Sequence, residues 1–138
     1  MPDEVLRLKA GQVRRAVGQV RSYMAGAAWL DVSFLVQDAV SANLQRACES
    51  AIDGALRWMR KRHLGVAAER RDAFVTLARA DCLPVGLAER LTRMVAFRNA
   101  LVHTYDRLDP AVVQAVLDSG LDDLLQLAER LEQEAAAA

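Results

Sequence analysis

Residues 33–62, "SFLVQDAVSANLQRACESAIDGALRWMRKR", decide the fold. Val36, Val40, Leu44, Ala47, Cys48, Ala51, Ile52, Ala55, Leu56 and Met59 recur mostly three or four apart, the spacing that gathers apolar side chains into one stripe of an α-helix. A helix of this length extends about 45 Å. That is longer than a small domain needs for one packed layer, so it can serve its own bundle and a second subunit. In the following "KRHLGVAAE", Gly65 is placed to stop the helix.

Working outward, residues 3–24, "DEVLRLKAGQVRRAVGQVRSYM", predict a first helix with Val5, Leu8, Val13, Val17, Val20 and Met24 as its apolar positions. Gly11 and Gly18 weaken it, and "AGAAWLD" is a soft break. Downstream, residues 67–80 predict a third, shorter helix with Phe74, Leu77 and Ala78 facing inward. Pro84 suits the first turn of a fourth helix carrying Leu87, Leu91, Met94, Val95, Leu101 and Val102. "DRLDP" reads as a turn, with Asp109 as cap and Pro110 opening a fifth helix over 110–134 despite Ser119-Gly120. Residues 135–138 read as a frayed tail. With no repeat, low-complexity linker or strand pattern, the chain reads as one all-α domain over 1–138. The expected architecture is an antiparallel bundle of four to five helices with short connections.

Composition agrees. The 138 residues are 53% hydrophobic, with seven Gly and three Pro, a profile that favours helix over sheet. A chain of this size needs no disulfide or metal to fold. Cys48 and Cys82 stand 34 positions apart without a CxxC, as buried thiols of an intracellular protein do. Charged residues break up the N-terminal segment, and the run Tyr23–Leu30 is too short to span a bilayer. The expectation is a soluble, cytoplasmic protein with no membrane contact. Formal net charge is zero, yet its distribution is uneven. From Arg57 to Arg71 there are six cations and one anion, and from Asp106 onward eight anions and two cations.

The fourth helix ends in "RNALVHTYD", residues 98–106, which holds one of only two histidines. Asn99 and His103 are four apart and share a helix face, with Arg98 one step round. Histidine takes and gives protons near neutral pH, and arginine holds phosphate oxygens through a planar fork. A base beside a phosphate clamp suffices to cleave RNA, whose 2′-hydroxyl is an internal nucleophile. His103 would move the proton, Arg98 would stabilise transition-state charge, and Asn99 would orient the imidazole or the phosphate. Spacing alone also fits a plainer use, since a histidine near a helix C-terminus interacts well with the helix dipole.

The longer run "FRNALVHTYDRLDP" resembles the signature of the HepT-like family, within the wider HEPN group of helical ribonucleases. The family pattern is Arg, four residues, His, one residue, Tyr, met here by Arg98, His103 and Tyr105, with Asn99 after the arginine. The likeness extends through "RRDAFVTLARADCLPVGLAERLTRMVAFRNALVHTYDRLDP" and the upstream "VQDAVSANLQRACESAIDGAL". It covers most of residues 33–134 and is weakest over the first helix, within residues 1–30. The resemblance implies the toxin of a type VII toxin–antitoxin pair: a homodimeric, metal-independent endoribonuclease with the motifs of two subunits meeting in one cleft. It also implies an MNT-type nucleotidyltransferase antitoxin that neutralises the toxin by AMPylating the motif tyrosine, Tyr105. A phosphate there would put charge and bulk where RNA must bind. HEPN-type bundles also imply an alternative, a non-catalytic dimeric module that scaffolds a nucleotidyltransferase or binds a nucleotide.

Other residues carry weaker signals. Arg57, Arg60, Lys61 and Arg62 could guide RNA or form a solvated helix end. Glu49 and Asp53, four apart and one step off the apolar stripe, could pair with Arg46 or Arg57, or orient the active-site cation across the bundle. His63 reads as a helix-end residue, and Trp29 and Trp58 as packing residues. The two His and two Cys lack metal-ligand spacing, so no metal and no cofactor are expected.

Overall fold

The computed structural model describes residues 3–103 and 108–137, and of residues 100–103 the backbone alone. Its helices are α1 (Glu4–Met24), α2 (Phe34–Lys61), α3 (Ala73–Arg79), α4 (Val85–His103), α5 (Pro110–Ala115) and α6 (Leu121–Ala136). Short 3₁₀ turns, Trp29–Asp31 and Arg70–Asp72, precede α2 and α3. A π turn, Val116–Gly120, joins α5 to α6 as one rod. No strand occurs among the described residues. The all-α bundle expected from the sequence is what the chain forms.

Each helix start has a local cause. The Asp3 carboxylate accepts from the N–H groups of Val5 and Leu6 at 3.1 and 3.2 Å, the Ser33 hydroxyl from Val36 N–H at 3.2 Å, and the Asp109 carboxylate from Ala111 N–H at 2.9 Å ahead of Pro110. These bonds satisfy amides that a helix leaves unpaired at its first turn.

Packing follows the stripes, with corrections. α2 lies along α1, α1 packs on α6, and α4 covers α2 and α3. Ala10, Ala47, Ala51 and Ala55 are wholly buried, and their small side chains bring α1 and α2 close. Leu44 and Met59 of α2, Phe74 and Leu77 of α3, Leu91 of α4 and Leu124, Leu127 and Leu131 of α6 fill the centre. Trp29 and Trp58 are buried packing residues. On α1 the inward face is Leu6, Ala10, Val13, Val17, Val20 and Met24. Val5 and Leu8, expected on that stripe, are exposed, because the face was set by Leu6 and the small Ala10, which hydrophobic spacing alone undervalues.

Three expected boundaries move. Gly65 does not stop α2. His63 takes the left-handed conformation instead (φ 55°), its N–H donating to Arg60 O at 3.2 Å and Leu64 N–H to Met59 O at 3.0 Å, the paired closure that ends many helices. The third helix begins at Ala73 rather than 67, behind the 3₁₀ turn that Asp72 closes on Glu69 N–H at 3.2 Å. The last helix runs to Ala136, so residue 135 does not fray: Ala135 is buried, and its carbonyl accepts from Asp3 N–H at 2.8 Å.

The two ends of the bundle's long helices are tied by charge. Arg62 forks onto Glu134 at 2.7 and 2.8 Å, and Lys61 Nζ donates to the Glu134 carbonyl. Arg57 Nε donates to Asp3 at 3.1 Å. The Arg62 fork holds the Glu134 carboxyl below the usual carboxylate range, against the opposing effect of burial.

Candidate active site

α4 carries the motif to the edge of the bundle. Leu87, Leu91, Met94 and Val95 hold it down, so the residues after Val95 emerge beside α2 and the Arg70–Asp72 turn. Asn99 is exposed, and Arg98 is one-third exposed, reaching back across the helix pair. Arg98 Nη2 meets Glu49 Oε2 of α2 at 3.0 Å, and its Nε is buried with no hydrogen-bond partner among the described residues.

Glu49 therefore does what one sequence expectation allowed: it holds the motif cation across the bundle. Its second oxygen accepts from Arg70 Nη2 at 2.9 Å. Asp53 also accepts from Arg70, at 2.5 Å, and faces Lys9 Nζ at 3.3 Å. The alternatives fail: Arg57 pairs with Asp3, and Arg46 donates to Asn43 at 3.4 Å. Beneath Arg98 lies Cys48, whose thiol burial pushes up to about 12, against the pull of the Arg98 guanidinium. It is a packing residue, not a nucleophile.

Arg98 and Asn99 line one wall of a groove of about 530 Å³, with Arg70, Arg71 and Glu69 opposite and Ile52 and Val95 below. In the sequence Arg70 and Arg71 belong to the basic stretch, with no sign that they meet the motif. No local signal could show it, because a tertiary contact sets the 3₁₀ turn against α4. His103 is the last residue of α4, one helical turn beyond Asn99, and its side chain lies outside the described residues, as Tyr105 does entirely. Of the basic stretch, Arg57, Lys61 and Arg62 are engaged with Asp3 and Glu134, while Arg60 is exposed. Among the described residues, no three His, Cys, Asp or Glu side chains gather as metal ligands, and no helix is long and apolar enough to cross a membrane.

The helical bundle superposes on solved toxins of toxin–antitoxin complexes. The tri-AMPylated HEPN toxin of Shewanella oneidensis, solved in complex with MNT antitoxin, superposes with a TM-score of 0.87 at 29% identity, covering 95% of this chain and 98% of that one. A toxin–antitoxin structure with AMP-PNP superposes with a TM-score of 0.88 at 28% identity, covering 95% and 99%. The family described as Ribonuclease HepT-like matches residues 13–131, and the chain belongs to it. It is also 30% identical over 132 residues to the mRNA nuclease HepT of Shewanella oneidensis, covering 96% of this chain and 99% of that protein.

Proposed function

We propose that this chain is the toxin of a toxin–antitoxin pair, a metal-independent endoribonuclease acting as a homodimer. The observation that carries the reading is a held guanidinium, Arg98, lining one groove with Asn99, one turn before His103, in a chain related to an mRNA nuclease. In the proposed reaction the RNA 2′-hydroxyl attacks the adjacent phosphorus. A 2′,3′-cyclic phosphate forms as the bond to the 5′-oxygen breaks. His103 of one subunit takes the hydroxyl proton, and the partner's copy of the motif gives one to the departing 5′-oxygen. Arg98 donates to the non-bridging oxygens as charge builds on them, and Asn99 orients the phosphate.

The dimer is supported by the turn before α2 and the first residues of α2. Leu30, Phe34 and Leu35 are 72%, 84% and 78% exposed, an apolar cluster of the kind that subunit contacts cover. An MNT-type nucleotidyltransferase is the proposed antitoxin, with AMP transferred to the Tyr105 hydroxyl. The related toxin's AMPylated state supports this. Of the four basic residues read as RNA guides, Arg60 is the proposed contributor. Arg57, Lys61 and Arg62 already face carboxylates.

The test is cleavage of an mRNA pool in excess EDTA by unmodified protein, beside His103→Ala and Arg98→Ala. The expected result is cyclic-phosphate ends from wild type and a loss of about 100-fold or more in each variant. No cleavage by an unmodified dimer would leave the non-catalytic scaffold as the function.

A further inference from the structure

Around Glu49 and Asp53 the cations outnumber the anions. Arg98, Arg70 and Lys9 bond these two carboxylates. Beyond them, Arg15 of α1 and Arg46 of α2 line a groove of about 620 Å³ between the two helices. Neither Arg15 nor Arg46 has an ion-pair partner among the described residues, and both are exposed. Five cations thus surround two carboxylates in a chain whose formal net charge is zero. The groove is polar: Ser50 Oγ donates to Gln12 Oε1 at 3.1 Å, which leaves the Gln12 amide free to donate, and Asn43 Oδ1 tethers Arg46 at 3.4 Å. Among the described residues, no aromatic side chain lines it. Glu49 lines this groove and also holds Arg98, so the groove adjoins the proposed active site.

Resting on the ribonuclease reading, we propose that the α1–α2 groove is an RNA-phosphate subsite of that active site. Arg46 and Arg15 there hold the backbone of nucleotides flanking the scissile bond. Surplus positive charge, guanidinium forks and amide donors suit phosphate oxygens. With guanidinium and amide donors and no aromatic side chain among its described lining residues, the subsite reads backbone rather than sequence. It also centres the RNA path on the α1–α2 groove, with Arg60 as the contributor from the Arg57–Arg62 helix end, where Asp3 and Glu134 offset the charge of its neighbours.

The test compares wild type with the Arg15→Ala/Arg46→Ala double variant. Cleavage of an RNA oligonucleotide is followed in EDTA, and its binding is titrated against salt on a His103→Ala background. Losing two phosphate contacts raises KM about tenfold, keeps kcat within about twofold, and flattens the slope of log K against log salt by about 1.4. Arg46→Lys, which keeps charge and stem, retains most of the slope. If wild type cleaves and the double variant keeps KM and slope, the subsite is wrong and the ribonuclease reading stands. If wild type neither cleaves nor binds RNA, the underlying reading fails and the subsite with it. A double variant that binds RNA normally but no longer binds the nucleotidyltransferase, or elutes at a different oligomeric size, assigns the groove to a protein contact and overturns the proposal.

Discussion

At Glu49 one carboxylate meets two guanidinium groups, Arg98 at 3.0 Å and Arg70 at 2.9 Å. All three side chains are partly exposed, and such pairs contribute only about 0–1 kcal/mol to stability. The consequence is positional. Arg98 is a long side chain whose fork is useful only when aimed, and misplacement of about 1 Å can cost up to about 100-fold in rate. Glu49→Ala is therefore expected to lower kcat for RNA cleavage about tenfold with a smaller change in KM, while thermal melting shifts little. Steady-state kinetics beside calorimetry checks this, and an unchanged kcat removes Glu49 from the mechanism. The sequence showed Glu49 and Asp53 as a polar pair one step off the apolar stripe. It offered the motif cation as one possible partner beside Arg46 and Arg57, and did not show Lys9 or Arg70. Lys9, Arg70 and Arg98 come from three other segments, and only packing of those segments on α2 brings them there.

At the scale of the element, most helix bounds were legible, the start of α3 apart, but the residues that close the helices were not. Asp3, Ser33 and Asp109 cap as their residue types prefer. By contrast, Ala25, His63 and Asp81 follow helix ends with φ of 47°, 55° and 60°, where glycine is the residue expected. Ala25 is exposed, its N–H donates to Arg21 O at 2.9 Å, and it has no cap side chain to offset the left-handed strain. That strain costs about 1–2 kcal/mol for an L-residue. Ala25→Gly is expected to stabilise the fold by about 0.5–1 kcal/mol, after allowing for the freer unfolded chain. Denaturant midpoints at equal slope measure this; a lower midpoint would show that Ala25 packs in some unrecognised way. Along the last rod, the π turn at Val116–Gly120 absorbs Ser119-Gly120, with Ser119 Oγ donating to Ala115 O at 3.1 Å. The helix continues instead of breaking there because the chain on both sides is packed against the bundle: Val113 on one side and Leu121, Leu124 and Leu127 on the other are buried.

For the whole molecule, acid stability centres on the contact between the ends of α2 and α6. Glu134 is nearly buried and carries the Arg62 fork, with its carboxyl held below the ordinary value of 4.5. A folded-state value below the unfolded one gives stability that is complete above the unfolded value and is lost as pH falls through the folded one. Wild-type Tm should therefore hold from neutrality to about 5 and fall below about 4.5. Glu134→Gln should melt lower at pH 7, by about 1 kcal/mol, and lose less on acidification. Melting curves across pH 3–7 decide it, and parallel profiles would move the acid sensitivity elsewhere. Asp3 contributes in the same sense: burial raises its carboxyl, but the Leu6 and Val5 N–H groups and Arg57 outweigh that and lower it. The sequence by itself determined the helical class, the long α2 stripe and the Arg98–His103 spacing, because these depend on residue type and on the 3.6-residue period. Tertiary structure decided which of its possible partners Glu49 would hold, that Arg57, Lys61 and Arg62 would be matched by Asp3 and Glu134, and that the surplus cations would gather beside α2. Each of those joins residues far apart in the chain, and only the packing of the helices sets which charges meet.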